Sequence, residues 1–576
     1  MLTSRRLALA IALTLAGGAV QAQSLNNTFD GAYLHNNENG RGLMLDVVPT
    51  STGAVFFGAL FSYDSAGNPL WLTIQEGFTT GQTVAPAVVV RRFNGGNFGL
   101  PFVPPTPLSG TQVGTARVTI NSCNSIGVEF RPNAAANGLA AVNFNFVPFI
   151  VNPDCVSSTP FTGCPTGTTA VAGATATCAL SGTLAGDVRL PSNATYLING
   201  KVQVGTPLGQ SSQAPANLTI DAGTVIRGGG GASDYLVVNP GSKIFANGTA
   251  GAPIVFDGPT NTPGSWAGIF LAGRAPVNKA GTPGGAIAFE ADANILFGGA
   301  DVNDSSGVMR YVQIRNAGQT IAPNRELNSL TLGGVGAGTV LDYIQAHNGT
   351  DDAFEMFGGT VNAKHLVATG ADDDNLDFDF GYRGRIQYAY IKQDAAGLDT
   401  ADGRGVESDN QDSTGNFDAL PRTQPLIANI TVIGAGGLEG MRLRRGSSGR
   451  YFHSVFGGNF TSSCLRFNDA ATYNAVAPTP TTITGSHVAC ATNFRDDSAV
   501  TSPPITVAAW YNAGANNSTG TDITTVLDGR FPRSGQLVAP ALTVMGDSFF
   551  DPTTYKGAFS SSSADWAANW TVPGSL

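Results

Sequence analysis

Between Asp351 and Gly381 the chain repeats itself at a spacing of twenty-two residues: Asp351 and Asp352 fall on Asp373 and Asp374, Glu355 on Asp377, and Gly359 on Gly381. The phrases MRYVQIRNAG (Met309 to Gly318) and LDYIQAHNG (Leu341 to Gly349) match, and IQYAYIKQ (Ile386 to Gln393) echoes both. A period in the low twenties, made of short apolar runs with glycine corners, is the mark of a solenoid whose coils stack. The leucine template of leucine-rich repeats is missing, so the repeat predicts an all-β chain containing a right-handed parallel β-helix. Composition agrees. Charged residues are 12% of the chain while glycine supplies 74 residues, which leaves few strong helix formers and many turn formers.

The ends of the chain have other textures. Arg5 and Arg6 precede an apolar run from Leu7 to Gly18, and Val20-Gln21-Ala22 fits a cleavage site, so residues 1–22 read as a signal peptide. The run is shorter than the roughly 20 residues of a lasting membrane span. The expected mature chain is exported, without a transmembrane segment. Losing Arg5 and Arg6 takes its formal charge from −10 to −12, which argues against nucleic acid as a partner. About 550 mature residues exceed one ordinary core. Residues 23–151 alternate short apolar runs with turn signals, Asp64 to Pro69 among them, and predict a small antiparallel β-sandwich or barrel. Residues 152–185 read as a cysteine-containing linker, 186–549 as the β-helix and 550–576 as a C-terminal cap, with Trp566 and Trp570 sealing the open end.

Six cysteines in an exported chain predict disulfides. Proximity pairs Cys123 with Cys155, Cys164 with Cys178, and Cys464 with Cys490. No C-x-x-C or zinc-ligand spacing occurs.

The phrases NSLTLGGVGAGTVLDYIQ, DDAFEMFGGTVNAKHLVA, DDDNLDFDFGYRGRIQ, GVESDN and YKGAFSSSSADWAANWT resemble a family of secreted Gram-negative bacterial parallel β-helix proteins of unknown activity. The resemblance spans about Gly186 to Leu576 and implies fold and export, with no reaction attached. An aromatic usual in that family after the acidic pair is Met356 here. The phrases NGRGLMLDV, SYDSAGNPLWLT and NSCNSIGVEF are similar to a β-module of other exported bacterial proteins.

The densest chemistry lies in ATGADDDNLDFDFGYRG (Ala368 to Gly384). Side chains alternate on a strand, so Leu376, Phe378 and Phe380 are expected inside the coil and Asp377 and Asp379 outside. The register then stacks Asp351, Asp352, Glu355, Asp373, Asp374, Asp377 and Asp379 on rungs about 4.8 Å apart. Carboxylates at that spacing repel unless a cation or an arginine intervenes. Three readings follow: a solvated face of turn residues, a site for a hard divalent cation such as calcium, or a catalytic carboxylate set. A basic strip, Arg442, Arg444 and Arg445, is the counterpart, either pairing with the acidic rungs or binding an anionic polymer.

Calcium-dependent pectate lyases share this architecture, but their local phrases are missing, and paired carboxylates are too plentiful here to identify a glycoside hydrolase. Gly546-Asp547-Ser548 has no histidine after it to complete a serine hydrolase. His347 and His365 read as satisfied core or turn residues. Trp266, Trp510, Trp566 and Trp570 are candidate sugar platforms. The chain thus reads as an exported, non-catalytic cell-surface or extracellular-matrix β-helix protein, with polysaccharide or cell-envelope material as its partner. The alternative is a secreted polysaccharide lyase or glycoside hydrolase that uses the acidic rungs.

Overall fold

The computed structural model describes residues 29–576 except 36–40, 51–52, 80–81, 83, 94–109, 123–124, 149–160, 209–213, 232, 280–284, 323–324, 478–481 and 543–546. The expected signal peptide, Cys123 and Cys155 lie outside the described residues. The chain divides into two compact units, Met1–Pro160 and Phe161–Leu576.

The first unit is a closed barrel of eight antiparallel strands, from Gly31–His35 to Val142–Pro148, the last pairing back on the first. Strict alternation builds it. Leu43, Leu45, Val47, Phe56, Leu60, Leu72 and Ile74 face a common core, while their neighbours along the strands face out. The predicted hairpin turn is present, with Asp64 Oδ1 accepting from the backbone N–H groups of Ala66 and Asn68, each at 2.9 Å.

The second unit is a parallel β-helix whose paired coils run from Thr177–Leu184 to Ser518–Gly520. It therefore begins within the stretch expected as linker. One sheet stacks Leu330–Gly333, Phe354–Phe357, Leu376–Asp379, Val406–Asp409, Glu439–Arg444 and Ser463–Phe467 in parallel order. The other two sheets share long bent strands, among them Gly307–Arg315, Val340–His347, Asn362–Thr369 and Arg385–Lys392. Each bends at a single residue that drops out of register: Tyr311, Tyr343, His365 or Tyr388, at φ of 48°, 57°, 52° and 65°. Left-handed backbone is unfavourable for such side chains. Here it turns the corner in one residue, and the rings stack from rung to rung with centroids 4.4, 4.1 and 4.9 Å apart. These aromatics are what the self-similar phrases have in common. His365 Nδ1 meets Asp342 Oδ1 at 2.8 Å and His347 Nδ1 meets Thr369 Oγ1 at 2.9 Å, both satisfied structural contacts.

Leu376 and Phe378 fill the coil interior with Phe354, Met356 and Val406. Phe380 does not, contrary to the alternation. The strand ends at Asp379 and Phe380 takes φ 49°, which turns its ring to the outer side against Phe357, at 5.4 Å. That outer side is covered by an excursion between Gly268–Ala272 and Gly307–Arg315. Its short hairpin, Ile287–Ala288 with Leu296–Phe297, packs Phe289, Ile295 and Phe297 over Phe270, Phe357 and Phe380.

Two of the three expected disulfides fall in this unit and are formed: Cys164–Cys178 and Cys464–Cys490, with Cα–Cα distances of 5.6 and 5.7 Å. The far end of the core is closed by the helix Val507–Ala513. Its N-cap Thr506 accepts from Ala509 N–H, and it delivers Val507, Trp510 and Tyr511 into the core. Trp566 and Trp570, expected as that seal, lie instead along the flank. The C-terminal segment runs back over the corner ladder as a strap. Asp551 exchanges backbone bonds with Gln387, Gln313 donates to the carbonyl of Trp570, and Trp566 lies edge-on to His365 at 5.0 Å. Gln and Asn side chains on the flank satisfy the strap's backbone, so it is held without being a strand of any sheet.

Candidate functional site: a buried carboxylate cavity

The outward positions of the Leu330–Gly333 to Ser463–Phe467 sheet form a ladder of changing chemistry. Thr331, Glu355, Asp377, Glu407, Arg442 and Arg466 occupy successive rungs in register. The predicted stacking of Glu355 beside Asp377 is present, and Asp352 Oδ1 accepts from Asp374 N–H at 2.9 Å on the adjoining corner. Of the three readings, a fully solvated face fits least: Asp351, Glu355, Asp373 and Asp377 are half-buried. Asp352, Asp374 and Asp379 are buried, and the excursion brings Phe289 and Glu290 over the ladder.

A cavity of about 210 Å³ results, lined by nine carboxylates and two arginines, with Phe289 and Asn328 completing the wall. Ligand oxygens of Asp351, Asp352 and Asp373 all lie within 4.8 Å of one another, and so do those of Asp352, Glu355 and Asp377. Asp352 belongs to both groups. Oxygens around a calcium ion sit at 2.3–2.6 Å from it, so opposite ligands are separated by about 4.8 Å, and each triad taken by itself is compact enough for one coordination shell. Among the described residues, Oδ1 of Asp373 and Oδ1 of Asp377 are buried with no hydrogen-bond partner. Asn328 donates to Glu355 Oε2 and to Thr331 Oγ1, which fixes that carboxylate.

The electrostatics follow from crowding. Burial first, and neighbouring carboxylates second, raise Asp352, Glu355, Asp374, Asp377 and Asp379 well above the usual carboxylate range. Burial and then Asp402 and Glu407 bring Asp373 to about 7. On the basic side, Arg404 is only 2% exposed and contacts Asp374, Glu407 and Glu439 at 3.6, 3.2 and 3.1 Å, with Asp402 at its outer nitrogen. Glu439 stays below its usual value although burial opposes this, because Arg466, Ser462 and Arg404 hold it ionised.

The basic strip is engaged with Glu407 and Asp409, carboxylates outside the seven that the register singled out. Arg444 chelates Asp409 at 2.7 Å to each oxygen and also reaches Glu407; Arg445 meets Asp409 at 2.7 Å; Arg442 donates to Asn468 at 2.8 Å. Arg404, Glu407, Asp409 and Glu439 were not singled out by the twenty-two-residue register, because the coil between Phe380 and Val406 is longer. The signal was available in the alternation of Val406-Glu407-Ser408-Asp409, which repeats that of Leu376-Asp377-Phe378-Asp379. Trp266, Trp510 and Trp570 are buried in packing, and none forms a platform beside the cavity.

No curated protein and no solved structure matches the chain. A family model described as a pectate-lyase-like beta helix domain matches residues 182–571, which covers most of the chain and nearly all of the solenoid, strap included. With its stacked parallel sheets and a family model matched over most of its length, the chain belongs to the pectate-lyase-like β-helix domain family.

Proposed function

We propose that this is an exported, non-catalytic β-helix protein of the cell surface or extracellular matrix, and that its acidic cavity holds a divalent cation of the calcium class. The observation that carries the reading is the pair of carboxylate triads sharing Asp352, with two buried oxygens that have no protein partner. A hard cation would supply the missing partner and relieve the repulsion that otherwise keeps these groups protonated. Both disulfides of the solenoid, together with the family, favour an oxidising extracellular setting. The geometry favours a structural cation over lyase or hydrolase chemistry. At about 210 Å³ the cavity is smaller than ordinary ligand pockets of roughly 300–1,000 Å³. Arg404, which lines the cavity, is held by Asp374, Asp402, Glu407 and Glu439, which leaves it unsuited to act as a base.

Thermal unfolding at fixed ionic strength tests the reading. Calcium at a hundredfold excess over its dissociation constant should stabilise the fold by about 2.7 kcal/mol relative to chelator. Asp373→Asn combined with Asp377→Asn should abolish that increment. Identical melting curves in calcium and chelator would end the proposal.

A further inference from the structure

A different part of the molecule carries an independent observation. Among the described residues, six of the eleven exposed large apolar side chains lie on one outer face of the N-terminal barrel: Met44, Val48, Phe57, Phe61, Tyr63 and Trp71. They sit on the adjacent strands Gly42–Thr50, Gly53–Tyr63 and Pro69–Thr79. Trp71, at 55%, is the exposed one of the five tryptophans, and Phe61 beside it is 44% exposed. The two are directly opposite across the strand pair, with centroids 6.4 Å apart and planes within 20° of parallel. We infer that this face is a glycan-binding platform that takes an uncharged polysaccharide strand, its sugar rings lying flat on Phe61 and Trp71.

The chemistry of the rows selects that ligand. Along the rung direction Gly42, Phe61 and Trp71 form one row, and Asp46, Phe57 and Gln75 another. Aromatic faces carry negative quadrupole charge and attract the weakly positive C–H groups of a sugar face. Asp46 and Gln75, flanking Phe57, are placed to hydrogen-bond hydroxyls at the edge of such a ring. Cross-strand aromatic pairing alone stabilises a sheet by only about 0.2–1 kcal/mol, and it does not require the rings to stay half open to water.

Other occupants fit less well. Four rings of about 150–250 Å² each, roughly half exposed, offer about 400 Å². One side of a stable protein interface needs about 800 Å², so the patch is too small for a second copy of the chain. The two rows contain Asp46 and neither lysine nor arginine, and the row between them, Met44, Ala59 and Thr73, ends on Arg91, whereas a surface for anionic lipid headgroups would carry a cluster of basic residues. The inference deepens the proposed extracellular reading by naming a polymer class and a location, and it does not involve the cation.

The test uses the full mature chain in chelator, so that an empty acidic cavity cannot decide the result. Binding to insoluble cellulose and chitin is measured by depletion, and iodide quenching of Trp71 is followed with soluble β-linked oligosaccharides. The expected result is retention on at least one polymer, with Trp71 protected from quencher. Trp71→Ala and Phe61→Ala should each weaken retention by roughly tenfold to a hundredfold, the scale of one lost stacked ring. Trp71→Phe should keep most of it, and unchanged melting of the barrel guards against misfolding. Failure of the wild-type chain to bind either polymer would overturn the inference, as would retention indifferent to Trp71→Ala. Concentration-dependent dimerisation, or binding to anionic phosphatidylserine vesicles, abolished by Trp71→Ala in the absence of glycan binding would overturn it in favour of those partners.

Discussion

Arg404 is buried among four carboxylates, and both its backbone and its side chain are engaged: Asp374 Oδ1 accepts from its N–H at 2.6 Å while Glu407 and Glu439 meet its guanidinium. Its proton is held more tightly than in water, because Glu407 and Asp374 outweigh the effect of burial. Removing one partner of a buried charged set leaves the others uncompensated. Arg404→Met should therefore destabilise the solenoid by about 3–5 kcal/mol in urea unfolding at pH 7. A loss below about 1 kcal/mol, the range of exposed pairs, would mean that the carboxylates around it are neutral in the folded state. Residue identity also decided what alternation could reveal. Asp377 faces outward as the pattern of alternating side chains requires, whereas Phe380 escapes it because one left-handed residue after Asp379 reverses the direction of the side chain.

At the scale of elements, the stacked strands were legible and the corners were not. Twenty-two-residue spacing carries Glu355 onto Asp377 and Leu376 onto Phe354 because each coil has the same number of residues on those rungs. Where the coil lengthens before Val406, register is lost from the sequence although the strand itself is ordinary, and Asp402, Arg404 and Glu407 of the cavity wall went with it. The one-residue corners at Tyr311, Tyr343 and Tyr388 were hidden for another reason: local preference puts glycine, not tyrosine, at positive φ, and the compensating ring stack is a property of neighbouring coils. The strap was read as an end cap because its tryptophans look like plugs; what it needs is a flank rich in Gln and Asn, which successive coils supply as Gln313, Gln345, Gln387 and Asn429. Its anchorage should depend on pH. Burial, and then Lys556, lowers both His453 and His487 to about 4, while Thr553 contacts His453 and Lys556 donates to Ser518 beside His487. The unfolded value is about 6.5. Between pH 6.5 and 4 the unfolded state binds more protons, so this contribution is complete above pH 6.5 and is lost as pH falls toward 4. Asp373, raised to about 7, works in the opposite sense, losing stability as pH rises from about 4 to 7, so a global melting curve mixes the two. Hydrogen exchange separates them: the amide of Gly557, bonded to the carbonyl of His453, should lose protection from pH 6.5 to 4 after correction for intrinsic rates, and His453→Gln with His487→Gln should flatten that dependence.

For the molecule, two units with separate cores predict two unfolding transitions, because neither core needs the other's side chains to be complete. A solenoid is held by contacts between neighbouring coils, so a fault in one wall weakens the rungs beside it more than the ends. The acidic cavity spans the middle rungs, from Asp351 to Glu407, and the Cys464–Cys490 bridge ties a later coil across 26 positions of sequence. Calcium and reductant should therefore act on the same transition from different places. Calcium should raise the solenoid transition and slow hydrogen exchange at Phe354–Phe357 and Leu376–Asp379, leaving the barrel transition where it was. Cys464→Ala with Cys490→Ala should lower the solenoid transition by the equivalent of about 3 kcal/mol, the loop-entropy value for a bridge of this span, again without moving the barrel. Scanning calorimetry of the chain with and without calcium, for the wild type and the cysteine pair variant, reads the transitions in four traces, and hydrogen exchange with and without calcium reads the two strands. If calcium shifted both transitions equally, the ion would be acting on net charge over the surface, and the carboxylate cavity would lose its claim to be the site.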